Sequence, residues 1–533
     1  MTERQRLGVQ DALWLEMDRP GNLMVVDSLV WTAAPIDWER FRAVYRERLW
    51  ERYRVFRSIA VRDADGGWFW EERPDHDFDS HIVHVTLPEP GGDAELQELI
   101  ASQRTTPLDR DRPLWQLFCV DGFNGGSAVV SRTHHAIADG IRMVQLAMSL
   151  FDASPDGGAI LAPPVHQHAA AALEPGQPLR EQVRAGAVAV AKELAELTGE
   201  LASTVTDPLG EPRERLSTVG HAVGNAASSA VGTTVELAGA AVTNPVGAAH
   251  SAATRSGAAV GSFASWLASA MRPRLPGSGP LVDLLSSAPG DADFARKLLL
   301  GTRNDTACWT GAVGPRKAIA WSAPLPLDRV KEVARANRAT VNDVLVTSVA
   351  GTLHAYLNEH DSSCASVNWM VPVNLKALDT ELPEELGNSF AIVQLELPTD
   401  EADPLAVLDV VKRRMGRIKQ GHEAAVAFRI QEVMSGFNQT LYRASVDLLA
   451  NRAIGVLTNV PGPPATVYLA GQKVDGIVGW APLSGNQPMS FTIYTYDGNV
   501  FVGIACDADL VPDHEQIVDG FADAFHRLAV AIR

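Results

Sequence analysis

Two histidines, an aspartate and a glycine stand close together in His134-His135-Ala136-Ile137-Ala138-Asp139-Gly140, a grouping suited to removing a proton from a hydroxyl during acyl transfer. Neutral imidazole is available near neutrality because its unperturbed pKa is about 6.5, and a positioned base contributes roughly 10²–10⁴-fold to rate. The preceding residues, Ala128–Thr133, are mostly β-formers, whereas Ile141, Val144 and Met148 recur at helical spacing. The histidines therefore stand where a strand gives way to a helix. Neighbouring side chains on extended backbone face opposite ways, so one histidine reacts while the other packs. His135 begins the turn at the free end of the strand and reads as the base, with His134 beside it. Asp139 would pair with a buried arginine or orient the loop, and Gly140 would permit a φ value or a backbone approach that a Cβ blocks.

An activated thioester needs only a base for the accepting hydroxyl, a means of holding it near the carbonyl and a donor for the oxyanion. No covalent nucleophile is required. The chain has no Gly-x-Ser-x-Gly elbow, no Gly-x-Gly-x-x-Gly run and no Gly-Lys-Ser/Thr loop, which disfavours a lipase, a dinucleotide site and a nucleotide-phosphate loop. Direct transfer follows, with no cofactor beyond the acyl donor and no metal.

Further short motifs stand on either side. Pro113-Leu114-Trp115 leads into a strand over Gln116–Val120, and Thr340-Val341-Asn342-Asp343 lies in a helix-like segment. Met370-Val371-Pro372-Val373-Asn374, Leu386-Gly387-Asn388-Ser389, Asn459-Val460-Pro461-Gly462-Pro463 and Tyr494-Thr495-Tyr496-Asp497-Gly498 follow in order. Together these motifs resemble the bacterial wax ester synthase/diacylglycerol acyltransferase family over roughly residues 5–150 and 305–530. The His-His-x-x-x-Asp-Gly element alone is shared with coenzyme A-dependent acyltransferases and peptide-synthetase condensation domains. Where the family often carries a Pro-Met-His-x-Gly-like run, this chain has Asn22–Asp27, and its central segment is long and alanine-rich.

The resemblance implies an α/β fold of two chloramphenicol acetyltransferase-like domains. An active-site tunnel would lie at their interface, with His135 where the halves meet and an alanine-rich helical insert between them. It also marks Asn342 and Asp343 as functionally important. The Asn342 amide offers a donor to an oxyanion or to the histidine loop; a helix N-cap or an interhelical hydrogen bond is the alternative. Asn459, Pro461, Gly462 and Pro463 read as a rigid loop that supports the site, since two prolines fix φ and a glycine permits a special turn.

Composition fits a large globular enzyme. The chain has 533 residues, 46% hydrophobic and 21% charged, with a formal net charge of −18, which argues against broad nucleic-acid contact. Cys119, Cys308, Cys364 and Cys506 are far apart and suggest neither a zinc site nor a disulfide framework. No stretch reaches the roughly 18 apolar residues of a membrane span, so a cytoplasmic location with peripheral contact to a membrane or lipid droplet is expected.

Residues 1–152 alternate strand-like and helical runs and form a first acyltransferase domain. Residues 153–304 read as a Pro/Gly/Ala-rich linker and amphipathic helical insert, whose Phe263, Trp266, Leu267 and Met271 would pack on the domains or lie in a lipid interface. Residues 305–533 form a second acyltransferase domain. Arginines between Arg40 and Arg57 interleave with glutamates and read as a solvated, salt-bridged face. Arg413, Arg414 and Arg417 are less neutralised and offer a site for coenzyme A phosphates or anionic lipid headgroups.

The reading is an acyl-CoA-dependent O-acyltransferase that acts on diacylglycerol or a long-chain alcohol with His135 as base. A condensation-type acyltransferase working on a polyketide or carrier-bound acyl group is the alternative enzyme. A non-catalytic lipid-surface protein is the alternative of another class.

Overall fold

A computed structural model describes residues 4–64, 66–158, 304–374, 382–388, 390–420, 427 and 450–531. The linker and insert read over 153–304 lie outside these residues, apart from 153–158 and 304. The chain divides into two compact units, one comprising Met1–Ala170, Arg303–Gly421 and Ala450–Arg533, the other Ala171–Thr302 and His422–Leu449.

In its earlier half the strands are β1 (Arg4–Arg6), β2 (Val25–Thr32), β3 (Ser58–Arg62), β4 (Trp68–Glu72), β5 (Ile82–Thr86), β6 (Trp115–Phe123) and β7 (Gly126–His134). Helices α1 (Val9–Met17), α2 (Trp38–Tyr45), α3 (Asp93–Gln103) and α4 (Gly140–Ser149) accompany them. The later half supplies β8 (Lys317–Trp321), β9 (Leu325–Pro326), β10 (Ser366–Asn374), β11 (Phe390–Pro398), β12 (Gly455–Pro461), β13 (Tyr468–Leu469), β14 (Gln472–Trp480), β15 (Met489–Tyr496) and β16 (Asn499–Asp507). Its helices are α5 (Leu327–Ala336), α6 (Val341–Glu359), α7 (Pro404–Gln420) and α8 (His514–Ala531). The result is a mixed α/β architecture.

A six-stranded sheet runs β13-β14-β2-β7-β6-β5, and a second sheet runs β11-β10-β12-β15-β16-β8 with β9 also paired to β16. The halves are not independent, because β14, which lies late in the sequence, pairs antiparallel with β2. Gly476 permits that crossing: a Cβ there would fall 1.9 Å from the Trp31 ring. Central β7 is bonded on both sides, to β2 and to β6, so its end is a fixed platform.

The core beneath it is aromatic. Trp115 opens β6, is 2% exposed, and stacks on His81 and Tyr45 with ring centroids 4.2 and 5.1 Å apart. Its indole N–H donates to the Phe56 carbonyl at 2.9 Å, satisfying the polar group that makes a buried tryptophan costly.

In the second sheet, β10 and β12 run parallel but pair only at Trp369–Gly455 and Met370–Val456. Beyond those positions β12 stays paired with β15 from Leu457 to Pro461, so the carboxyl ends of β10 and β12 part. Gly455 stands at the fork, where a Cβ would lie 1.6 Å from the Met489 carbonyl oxygen. The residues 459–461, read from sequence as loop, are therefore strand. The ladder to β15 outweighs the low strand preference of Pro461, which sits at the last position, where a missing N–H matters least.

Candidate active site

The end of β7 is built from its neighbours. His134 N–H donates to the Leu114 carbonyl at 3.0 Å and His135 N–H to the Met24 carbonyl at 2.8 Å. Pro113-Leu114-Trp115 thus carries the histidine strand: the buried tryptophan anchors β6, and the leucine carbonyl holds β7's last residue.

His134 faces inward and has no exposed surface. Its Nδ1 accepts from the Ala136 N–H at 3.1 Å, so the ring proton lies on Nε2, pointing at Asp18 Oδ2 3.7 Å away. That distance is too long for a hydrogen bond, so the N–H only faces the carboxylate. Burial pushes the Asp18 carboxyl up, but His134, the Met24 N–H and Arg110 outweigh it and hold the group below the usual carboxylate range. Burial lowers the His134 pKa, against the pull of Asp18. His134 is a packed, neutral support.

His135 keeps 9% exposure and stacks on Trp14 of α1, with centroids 4.0 Å apart and planes 20° apart. Phe390, the first residue of β11, lies 5.8 Å from the His135 ring and 6.1 Å from Trp14. Its Nδ1 lies 3.1 Å from Asn388 Oδ1. Among the described residues Nε2 makes no hydrogen bond, and it is not among the buried unpaired atoms. Burial lowers the His135 pKa to about 4 and His134 adds to this, while its own backbone carbonyl and Asn388 oppose. The ring is neutral across the physiological range.

Asp139 is the N-cap of α4 and accepts from the Arg142 N–H at 2.9 Å, which fixes the turn that follows the histidines. Gly140 departs from the expectation. It is the first helical residue, is exposed, needs no positive φ, and a Cβ there would meet nothing within 4 Å. Neither strain nor close backbone approach calls for glycine at this position.

Asn342 and Asp343 open α6, where Thr340 is the cap. The Thr340 N–H donates to Asp343 Oδ2 at 2.8 Å and the Asp343 N–H to Thr340 Oγ1 at 3.2 Å, a reciprocal capping box. The cap role therefore belongs to Thr340 and Asp343, which leaves Asn342 free for other contacts. Its Oδ1 accepts from Asn459 Nδ2 at 3.0 Å, and its Nδ2 is buried with no partner among the described residues. Asn459 lies near the carboxyl end of β12, and Phe390 pairs with Asn374 at the carboxyl end of parallel β10. Asn342 and the His135 contact thus share one end of the second sheet, where β10 and β12 part. Gly462 closes against β15: its N–H donates to the Thr495 carbonyl at 2.8 Å, and Pro463 O accepts from the Asp497 N–H at 3.0 Å.

The arginines divide. Arg414 is tied to Glu396 through the backbone carbonyl at 2.6 Å and the carboxylate at 3.2 Å, whereas Arg413 and Arg417 lie exposed on α7. In the earlier cluster Arg42 and Arg46 face Asp79, and Arg54 and Arg57 face Glu72. Arg48 pairs with Asp152 at 2.8 Å and also reaches the carbonyls of Ser149, Leu150 and Phe151 at 3.2–3.3 Å at the end of α4, a favourable place for a cation. Among the described residues no three His, Cys, Asp or Glu side chains are grouped to hold a metal, and no helix is long and apolar enough to cross a membrane.

Residues 7–252 match the wax ester synthase/diacylglycerol acyltransferase catalytic domain, and residues 386–529 match the WS/DGAT C-terminal domain. The chain belongs to the wax ester synthase/diacylglycerol acyltransferase family. It is 24% identical over 521 residues to a Mycobacterium tuberculosis protein named "Probable diacylglycerol O-acyltransferase tgs1", covering 96% of this chain and 92% of that one. It is 22% identical to the O-acyltransferase WSD of Acinetobacter baylyi, covering 87% and 84%. The wax ester synthase/diacylglycerol acyltransferase of Marinobacter aquaeolei VT8 superposes with a TM-score of 0.60 at 16% identity, over 99% of this chain and all of that one. The first condensation domain of the calcium-dependent antibiotic synthetase gives 0.52 at 14%, over 99% and 96%, a likeness of fold alone. This family member is an acyltransferase.

Trp14, which stacks on the His135 ring, and Asp11, which bonds Asn388, were not singled out from the sequence. Trp14 and Asp11 lie in α1, which sequence patterning did not assign, although their three-residue spacing puts both on one helix face. Asn388 was read only as part of Leu386-Gly387-Asn388-Ser389.

Proposed function

We propose that this acyltransferase moves a fatty acyl group from acyl-CoA to the hydroxyl of diacylglycerol, or of a long-chain alcohol, with His135 as the base. The observation that carries the reading is the free Nε2 of a neutral imidazole that elements of both halves surround. The acceptor hydroxyl gives its proton to Nε2 as its oxygen attacks the thioester carbonyl. The tetrahedral oxyanion collapses, the carbon–sulfur bond breaks, and the coenzyme A thiolate takes the proton back from the imidazolium.

The Asn342 Nδ2, buried and unpaired, is the donor for the oxyanion in this reading, since an amide held in a water-poor site is worth far more than in water. A tunnel between the halves would bring the two substrates to the ring from opposite sides. Arg413 and Arg417 would meet the coenzyme A phosphates, and the protein would work peripherally at a membrane or lipid droplet.

The test supplies radiolabelled palmitoyl-CoA with diacylglycerol and with hexadecanol in separate reactions, each repeated with His135→Ala. Labelled ester from either acceptor, lost by at least ~10²-fold in the variant, supports the reading. Thiol release without ester in both tubes would sink it.

A further inference from the structure

We propose that Asn388 and Asp11 form a positioning pair for His135. The Asn388 carboxamide holds the imidazole in the tautomer with the proton on Nδ1, and the Asp11 carboxylate fixes which way that carboxamide points and offsets the charge the ring acquires. The proposal rests on the reading of His135 as base.

Hydrogen-bond bookkeeping around Asn388 decides the tautomer. Its Nδ2 carries two protons; one goes to Asp11 Oδ1 at 2.7 Å and the other to the His135 carbonyl oxygen at 2.9 Å. A carboxylate and a carbonyl only accept, so both protons are committed and the amide orientation is set by its partners. Oδ1 is then the atom that faces His135 Nδ1 at 3.1 Å. An amide oxygen also only accepts, so Nδ1 must bear the ring proton and Nε2 the lone pair. Turning the amide over would set its oxygen against two acceptors.

The arrangement joins three distant stretches of chain. Asp11 comes from α1, Asn388 from the segment before β11, and His135 from the end of β7. The Asn388 N–H gives Asp11 Oδ1 a second bond, at 2.8 Å. The packing is close: a Cβ on Gly387 would lie 3.3 Å from Asp11 Oδ2, and one on Gly8 2.8 Å from it. Asp11 is itself only 9% exposed.

Charge explains why a carboxylate belongs there. When Nε2 takes the hydroxyl proton, the ring becomes a cation where burial disfavours charge. The amide dipole then points its oxygen at the cation and its NH₂ at Asp11, so the carboxylate acts through one intervening group. The other titratable groups facing these three residues are Asp139, which acts on Asp11, and His134, which acts on His135 and itself faces Asp18 and Arg110. Burial pushes the Asp11 carboxyl up to about 6, against the donors of Asn388 and Gly8 and with Asp139 adding to the rise. Asp11 therefore loses its charge as pH falls through about 6, before His135 itself is protonated at about 4.

The experiment uses the full chain with palmitoyl-CoA and whichever acceptor it esterifies, from pH 5 to 8. Asn388→Ala is expected to lower kcat by about 10²-fold and Asp11→Asn by about 10-fold at pH 7.5, each with KM for palmitoyl-CoA within about twofold. The wild-type kcat should fall near pH 6, and Asp11→Asn should abolish that fall, which a merely structural loss would leave in place. In wild-type protein labelled with ¹⁵N-histidine and assigned with His135→Gln, the His135 signals at pH 7.5 should report a protonated Nδ1 and a bare Nε2. A proton on Nε2, or an Asp11→Asn enzyme that keeps both the wild-type kcat and its acid limb, would overturn the proposal. If the wild type forms no ester at all, the functional reading fails and the nitrogen signals alone decide the tautomer.

Discussion

Asn459 donates its side-chain amide to the Asn342 carbonyl oxygen at 3.0 Å, so the last strand residues of β12 choose which end of Asn342 faces away. The oxygen is used up, and the NH₂ is left buried without a partner among the described residues. A buried donor left unpaired costs about 1–3 kcal/mol, which an oxyanion would recover during the reaction.

Asn342→Asp keeps the size and the acceptor facing Asn459 but removes the donor. We expect kcat to fall by about 10²–10³-fold with little change in melting temperature. Steady-state rates beside a thermal melt check this, and a variant with wild-type kcat would remove Asn342 from the reaction. Asn459→Ala should give a smaller loss, because the Asn342 amide can then rotate.

The fold was legible where a local rule and the tertiary structure agreed. The helix-like segment at Thr340–Asp343 is the start of α6, because Thr340 and Asp343 close a capping box that depends on nothing distant. The His134–Gly140 junction was legible for a similar reason, with β-formers before it and helical spacing after it. Other features depend on contacts that no local pattern encodes. The pairing of β14 with β2 joins strands more than 400 residues apart, and Asn388 meets Asp11 across a separation of 377. Pro461 looked like loop because the β15 ladder that makes it strand comes later in the chain. Gly140 was misread for the opposite reason: glycine at a turn suggests strain, yet here it occupies an ordinary helical start beside open space.

Acid should destabilise the folded protein well above the range where carboxylates titrate. Burial lowers the His81 pKa to about 4, with His76 and Arg112 adding to this and a bond to the Trp115 carbonyl opposing, and burial lowers the His135 pKa to about 4 as well. The unfolded chain binds these protons at about 6.5, so between about 6.5 and 4 it holds more protons than the folded chain, and stability falls as pH falls. Each group contributes on the order of 3 kcal/mol over that window. His81→Phe keeps the ring against Trp115 and removes the titration. The urea midpoint should drop less between pH 7.5 and 5 in the variant than in the wild type; an equal drop would refute the assignment.

Two glycines in neighbouring motifs should respond in opposite ways to the same change. At Gly140 an added Cβ meets nothing within 4 Å, and alanine favours helix over glycine by about 1 kcal/mol. Gly140→Ala should therefore leave the melting temperature equal or higher, and any loss of activity in it reports on what occupies the open space. At Gly462 the Cβ would lie 2.4 Å from the Thr495 carbonyl oxygen, the same atom that accepts the Gly462 N–H. Backbone cannot swing aside as a side chain does, so Gly462→Ala must push the end of β12 from β15, at a cost of roughly 1–3 kcal/mol. That shift carries Asn459 with it and loosens the orientation of Asn342, so kcat should fall together with stability. Thermal melts and initial rates of both variants separate the cases: a destabilised Gly140→Ala or an unaffected Gly462→Ala would contradict the packing described here.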